Sequence, residues 1–399
     1  TGRGRENGRG YLMRHGGKLF LTALMGLCLS GPVIAEDASH WVRSAAAAAR
    51  HVDPNKAAAV ENVTIRQTLR LTQGGKALRV RVSNEHGNVP LKIGTASVRI
   101  GDRFYPLTFS GQAGISAPVG APVLSDPVVA DIGFLEAVEV NLYFPEKAVL
   151  STMHGDNRNP ALISTAGDFT QTPDLPVAES VRHRPFVTAI EVEAANPLKT
   201  IVAFGDSITD ADCKIGPDQC RWSEVLAERL QAEGKPYAVS NAGISGNRLL
   251  SDSYGVSALA RFERDVLSVP NVSHVIVLIG INDIGGSTPE KPVTAADMIA
   301  GYRQLIARAH ARGLKIYGAE ILPFLGAGYA SDDKEKVRLE VNDWIRTSGA
   351  FDGLIRFTGA VADPADPARL AGPLQTGDNL HPNVAGQRAM GAAIDLNLF

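Results

Sequence analysis

The hydrophobic rhythm of the chain changes near its middle. From Val63 to about Ile190 apolar and polar residues alternate, as at Leu78, Val80 and Val82 and again at Val138, Val140, Leu142 and Phe144. Successive side chains of a strand point to opposite faces, so this period of two predicts half-buried strands. Gly74-Gly75, His86-Gly87-Asn88, Gly101-Asp102 and Gly133 interrupt the stretch often enough to predict an antiparallel sandwich, with no long helix in it. The alanine-rich segment Ser44 to Val52, just before it, reads as a short helix.

From Lys199 onward short apolar runs alternate with amphipathic stretches, the pattern of a parallel sheet covered on both faces by helices. Strands are predicted at Thr200 to Phe204, Tyr237 to Ser240, Val275 to Ile279, Lys315 to Ala319 and Gly353 to Phe357. Helices are predicted at Trp222 to Ala232, Ala295 to Arg312, Lys334 to Arg346 and Val384 to Leu396. A chain of 399 residues exceeds what one core usually supports. The expected division is a β-rich, sandwich or jelly-roll-like domain over 36–194 and an α/β domain over 195–399, with the boundary at Glu193 to Lys199 around Asn196-Pro197.

The first residues stand apart from both. Met13 reads as the true start, followed by Arg14 and Lys18, the apolar run Leu19 to Leu29, and small residues ending at Ala35. Residues 13–35 are therefore expected to be a signal peptide cleaved after Ala35, and 1–12 upstream translated sequence or a cloning remnant. The apolar run is too short to span a bilayer comfortably, so no stable membrane insertion is expected and the mature chain is placed in the periplasm or outside the cell. With 40 basic against 42 acidic residues there is no positive excess to attract nucleic acid. Of three cysteines, Cys28 lies in the signal; Cys213 and Cys220, close in sequence and in an oxidising compartment, are expected to form a disulfide. Nothing in the sequence sets an oligomeric state.

Open α/β sheets bind ligands beyond the carboxyl ends of their strands, which makes the residues after each strand the informative ones. The first strand runs into Gly205-Asp206-Ser207, the second into Asn241-Ala242-Gly243-Ile244-Ser245-Gly246-Asn247, and the third into Gly280-Ile281-Asn282-Asp283; near the end comes Asp378-Asn379-Leu380-His381-Pro382. A serine hydroxyl is a poor nucleophile until a base takes its proton. Among the histidines after His40, His381 alone has an acidic residue three positions earlier, in a polar, loop-like segment, and Asp378 could hold its imidazole in the required tautomer.

Each segment alone is a weak signal, but in this order the four resemble the signature blocks of the GDSL/SGNH hydrolases, over Lys199 to Phe399. The resemblance implies a three-layer, flavodoxin-like domain. It also implies a triad of Ser207, Asp378 and His381, with oxyanion donors from the backbone N–H of Ser207 and Gly246 and the side-chain amide of Asn282. Asp206 and Asp283 are expected to hold loops by hydrogen bonds. The order of a β-domain followed by such a hydrolase is similar to acetylxylan-esterase-like members, which implies short-chain esters and acetyl groups on polysaccharides as substrates. Small polar loops such as Gly285-Gly286-Ser287-Thr288 agree with short acyl groups; Leu322-Pro323-Phe324-Leu325 runs against them, and Phe324 and Leu325 are the candidate acyl-binding residues.

No cofactor and no metal are expected. Asp210 and Asp212 offer too few oxygen ligands for calcium, and the phosphate loop, the dinucleotide fingerprint and the His-Glu-x-x-His pair are all absent. Two rivals remain: an acyltransferase using the same triad, and a carbohydrate-binding protein with a vestigial hydrolase domain. The second would show loss of a triad or oxyanion residue, and none is missing.

Overall fold

The computed structural model describes residues 40–155, 158–211 and 220–399. The expected signal peptide at 13–35 and the residues before it, together with Asp212 and Cys213, and hence the expected disulfide, lie outside the described residues.

The carboxyl-terminal half is built on five parallel strands in the order Tyr237–Gly243, Lys199–Gly205, Val272–Leu278, Lys315–Ala319, Gly353–Ile355. Strands covered on both faces read as continuous apolar runs, and Ile201 to Phe204 and Val275 to Ile279 are buried throughout. Helices Trp222–Ala232, Ala295–His310, Asp332–Thr347 and Val384–Ala393 accompany the sheet. Their starts are set by local chemistry. The hydroxyls of Thr294 and Ser331 and the side chain of Asn383 accept the backbone N–H three residues on, and Asp297 returns a bond to Thr294. The last helix stops at Ala393, before the expected Leu396, and a 3₁₀ turn Leu396–Leu398 closes the chain. One hydrophobic cluster, including Phe204, Trp222, Phe262, Tyr302 and Phe357, fills this half.

Among the described residues before Lys199 every regular element is a strand. One antiparallel sheet runs Trp41–Ala46, Val187–Glu193, Gly75–Ser83, Pro122–Leu124, with Val128–Ile132 also on Gly75–Ser83; another runs Val177–Val181, Ala161–Ala166, Val63–Arg70, Ala137–Phe144, Thr95–Ile100, Arg103–Leu107. The predicted alternation is visible in the packing: Leu78, Val80 and Val82 share a second hydrophobic cluster with Ile65, Leu69, Val138, Val140 and Leu142.

The alanine-rich helix expected at Ser44 to Val52 is not formed. Trp41–Ala46 is a strand paired antiparallel with Val187–Glu193, and Arg50–His51 is another. Tertiary pairing outweighs helix propensity here. Small side chains also let the strand Trp41–Ala46 pack against Tyr237–Gly243 of the parallel sheet.

All described residues belong to one compact unit. Polar contacts join its two halves: the Thr72 hydroxyl donates to the Val239 carbonyl, Asn271 Nδ2 to Trp41 O at 3.1 Å, and Arg264 Nη2 to Ala49 O at 2.9 Å. Among the described residues no helix is long and apolar enough to cross a membrane.

Candidate active site

Lys199–Gly205 lies between the second and third strands of the parallel sheet, where the strand order reverses, the place at which open α/β sheets bind ligands. Ser207 stands there, at the start of the single helical turn Ser207–Asp210. The carboxyl of Asp206 caps that turn, accepting the Ile208 N–H at 3.0 Å. The Ser207 hydroxyl is partly exposed and lies 2.8 Å from His381 Nε2.

His381 comes from the loop before the last helix. Its Nδ1 is 2.6 Å from Asp378 Oδ2, while Asp378 Oδ1 accepts the backbone N–H groups of Leu380 and His381, each at 2.9 Å. Asn379 adopts a φ of 57°, the left-handed conformation that asparagine tolerates better than most residues, and this tightens the loop so that Asp378 meets the ring. Partial burial pushes the Asp378 carboxyl up. The hydrogen bonds from the His381 ring and from the two amides outweigh that and hold it at about 2.

The residues expected to bind the oxyanion lie just after the first three strands of the parallel sheet. Among the described residues the backbone N–H groups of Ser207 and Gly246 donate to no acceptor. Gly246 has a φ of +77°, and a Cβ there would lie 2.5 Å from Tyr254 Cδ2, so the position accepts only glycine without rearrangement. Asn282 Nδ2 donates to Asn247 O at 3.0 Å, tying the third loop to the second.

Asp283 tightens that junction by accepting the N–H of Leu249 at 2.7 Å and of Leu250 at 2.9 Å. Burial raises its carboxyl to about 6 against these two bonds and the charge of Arg248. Burial likewise raises Asp206 to about 7, offset in part by the Ile208 amide and by Arg261. Both carboxyls hold loops through hydrogen bonds, as expected.

Phe324 is not at the surface. It is fully buried beside Tyr329, with no surface for an acyl chain. Leu325 is half-buried in the turn against the loop of Asp378 and His381, where Asn379 Nδ2 approaches Gly326 O at 3.4 Å. Cys220 is buried.

Three residues that the sequence reading passed over converge on the site. Arg261, fully buried, donates to Gly205 O, Ala242 O and Asn247 Oδ1, so one guanidinium holds the first two loops from behind. Tyr254, 61% exposed, stands against Gly246, with the Arg50 guanidinium 6.0 Å from its ring centroid. His154 reaches Asp210 from the amino-terminal half, Nε2 to Oδ1 at 3.2 Å. Tyr254 follows the second block closely enough to be suspected; the other two carry no local signal, since their partners are distant in sequence.

Residues 203–389 match the family model of the GDSL-like Lipase/Acylhydrolase family. Among solved structures the chain is similar to a GDSL-like lipase from Bacteroides thetaiotaomicron, at 19% identity over 50% of this chain and 87% of that one, with a TM-score of 0.38. It is similar also to an acetyl xylan esterase from Geobacillus stearothermophilus, at 22% identity over 49% and 92%, TM-score 0.38, and to a psychrotrophic esterase from Pseudoalteromonas sp., at 21% over 49% and 93%, TM-score 0.37. No curated protein matches the chain.

Proposed function

We propose that the chain, whose residues 203–389 match the GDSL-like lipase/acylhydrolase model, is a carboxylic ester hydrolase: an exported serine esterase that works through an acyl-enzyme on Ser207. The observation that carries the proposal is the chain of short contacts from the Ser207 hydroxyl through the His381 ring to the Asp378 carboxylate.

In this reading His381 Nε2 takes the Ser207 proton as Oγ attacks the ester carbonyl, and Asp378 steadies the imidazolium that forms. The carbonyl oxygen becomes negative and is received by the N–H groups of Ser207 and Gly246 and by Asn282 Nδ2. Such donors are worth about 3 to 4 kcal/mol of barrier each. Collapse of the intermediate breaks the ester bond, and the alcohol leaves with the proton from His381. Water, deprotonated by His381, then attacks the acyl-serine and releases the acid.

The substrate proposed is a short-chain ester, with acetyl groups on polysaccharides as the natural example. Phe324 sits inside the core and leaves Leu325 as the apolar residue beside the triad loop, which favours a small acyl group. The exposed Tyr254 ring beside Gly246 offers a face on which a sugar carrying the ester could stack. The two amino-terminal sheets are proposed to form a sandwich around their shared hydrophobic cluster, and residues 13–35 to direct the chain to the periplasm or cell exterior.

Steady-state hydrolysis of p-nitrophenyl acetate tests the triad. Ser207→Ala and His381→Ala should each lower kcat by at least about a thousandfold, because the members of a triad act as a unit. Substantial activity in folded Ser207→Ala rejects the proposal.

A further inference from the structure

We propose that the amino-terminal β-region is a working part of the catalytic centre, and that His154 is the positioning residue through which it holds the nucleophile turn and the oxyanion loop in register. The inference rests on the assignment of Ser207 as nucleophile and of the Gly246 N–H as an oxyanion donor.

The centre of the arrangement is Asp210, the last residue of the turn that Ser207 begins. Its backbone is held on both sides: the amide donates to Asp206 O at 2.8 Å, and the carbonyl accepts Arg221 Nε at 2.8 Å. Gly243 packs so closely on it that a Cβ there would collide with the Asp210 backbone. The side chain then joins the two loops. Asp210 Oδ2 accepts both the backbone N–H of Ser245 at 3.0 Å and its hydroxyl at 2.8 Å, one residue before Gly246. One buried carboxylate thus links the nucleophile turn to the loop carrying the oxyanion glycine.

The other oxygen, Oδ1, faces His154 Nε2 at 3.2 Å. His154 lies in the strand Thr152–Gly155 of the amino-terminal region and is 4% exposed. Its remaining nitrogen, Nδ1, is 3.0 Å from the carbonyl of Ala48, which can only accept. The ring is therefore fixed at both ends, by the backbone of its own region and by the carboxylate of the catalytic half. Burial works against the Asp210 carboxylate, but the His154 and Ser245 contacts keep its carboxyl below the ordinary value and so keep both acceptor oxygens available.

Without His154, Asp210 Oδ1 would be buried and unmatched, and the side chain would turn to satisfy it at the expense of Ser245. Movement of the Ser245–Gly246 loop by even a fraction of an ångström displaces an oxyanion donor, and misplacement of about 1 Å can cost on the order of a hundredfold in rate. Ground-state binding does not use that donor, so the loss belongs in kcat rather than KM.

The test is a double-variant cycle in the full chain, read by steady-state kinetics on p-nitrophenyl acetate and by the rate and site of fluorophosphonate labelling. His154→Ala and Ser245→Ala should each lower kcat by about ten- to a hundredfold with KM within about threefold, and should slow labelling at Ser207 in proportion. Because both act through Asp210, the double variant should be no slower than the worse single variant within about threefold. An unchanged kcat in folded His154→Ala, or losses that multiply in the double variant, overturns the proposal. If His154→Ala does not fold, His154→Phe, which keeps a ring but removes both nitrogens, takes its place: wild-type kcat in that folded variant overturns the proposal. Wild-type protein labelled at a serine other than Ser207 would instead reject the underlying assignment of the nucleophile.

Discussion

Arg261 Nη2 donates a 2.8 Å hydrogen bond to the carbonyl oxygen of Gly205, two residues before the serine that faces His381. The same guanidinium is paired with Asp265 at 2.9 Å and lies over the Phe204 ring, 4.2 Å from its centroid. Truncating one partner of a buried pair strands the other, which typically costs about 3 to 5 kcal/mol. Arg261→Ala should therefore lose about that much unfolding free energy, measured by urea titration with little change in slope. A loss under about 1 kcal/mol would mean that the loops are held by their other bonds.

Asp265 makes the same network sensitive to acid. Burial would raise its carboxyl, but Arg264 and Arg261 outweigh burial and hold it well below the usual carboxylate range. A group depressed in the folded state contributes stability above its unfolded value of about 4, and that stability is lost as pH falls toward the folded value. Asp265→Asn should be less stable than wild type at pH 7, yet its urea midpoint should fall less between pH 5 and pH 3. Parallel declines in the two proteins would remove Asp265 from the acid response.

Much of this was legible in the sequence, and the exceptions share a cause. The alternation at Val138 to Phe144 and the helices after Thr294 and Ser331 are local signals, and the structure has them within a few residues. The four blocks were legible because each follows a strand or closes the chain. The alanines of Ser44 to Val52 favour a helix locally, while Val187–Glu193, far along the chain, supplies the strand partner that Trp41–Ala46 takes. An apolar run in a loop reads the same whether it faces substrate or core, so the sequence does not separate buried Phe324 from half-buried Leu325. Arg261 and His154 were invisible because each is defined by partners brought close only by the fold.

Asn282 uses one amide hydrogen at Asn247 O, which fixes the plane of the amide; in its proposed role the second hydrogen serves the developing oxyanion. Asn282→Ala should lower kcat by roughly a hundredfold to a thousandfold and leave KM nearly unchanged. An effect confined to KM would assign the residue to ground-state binding.

The proposed preference for short acyl groups is testable through chain length. Across p-nitrophenyl esters of increasing chain length, kcat/KM should peak between two and four carbons. A maximum at about eight carbons or beyond would require Phe324 to leave the core, since each buried methylene would then add roughly 0.8 kcal/mol. Tyr254→Ala should raise KM for acetylated xylo-oligosaccharides while sparing p-nitrophenyl acetate. Equal effects on both substrates would contradict a sugar platform.

The most direct test of the account is the site of covalent capture. A fluorophosphonate probe incubated with the folded protein, followed by proteolysis and mass mapping, should place one phosphonyl group on Ser207, and His381→Ala should abolish the labelling. Recovery of the label on any other serine, or undiminished labelling in Ser207→Ala, would contradict the assignment of nucleophile and base together.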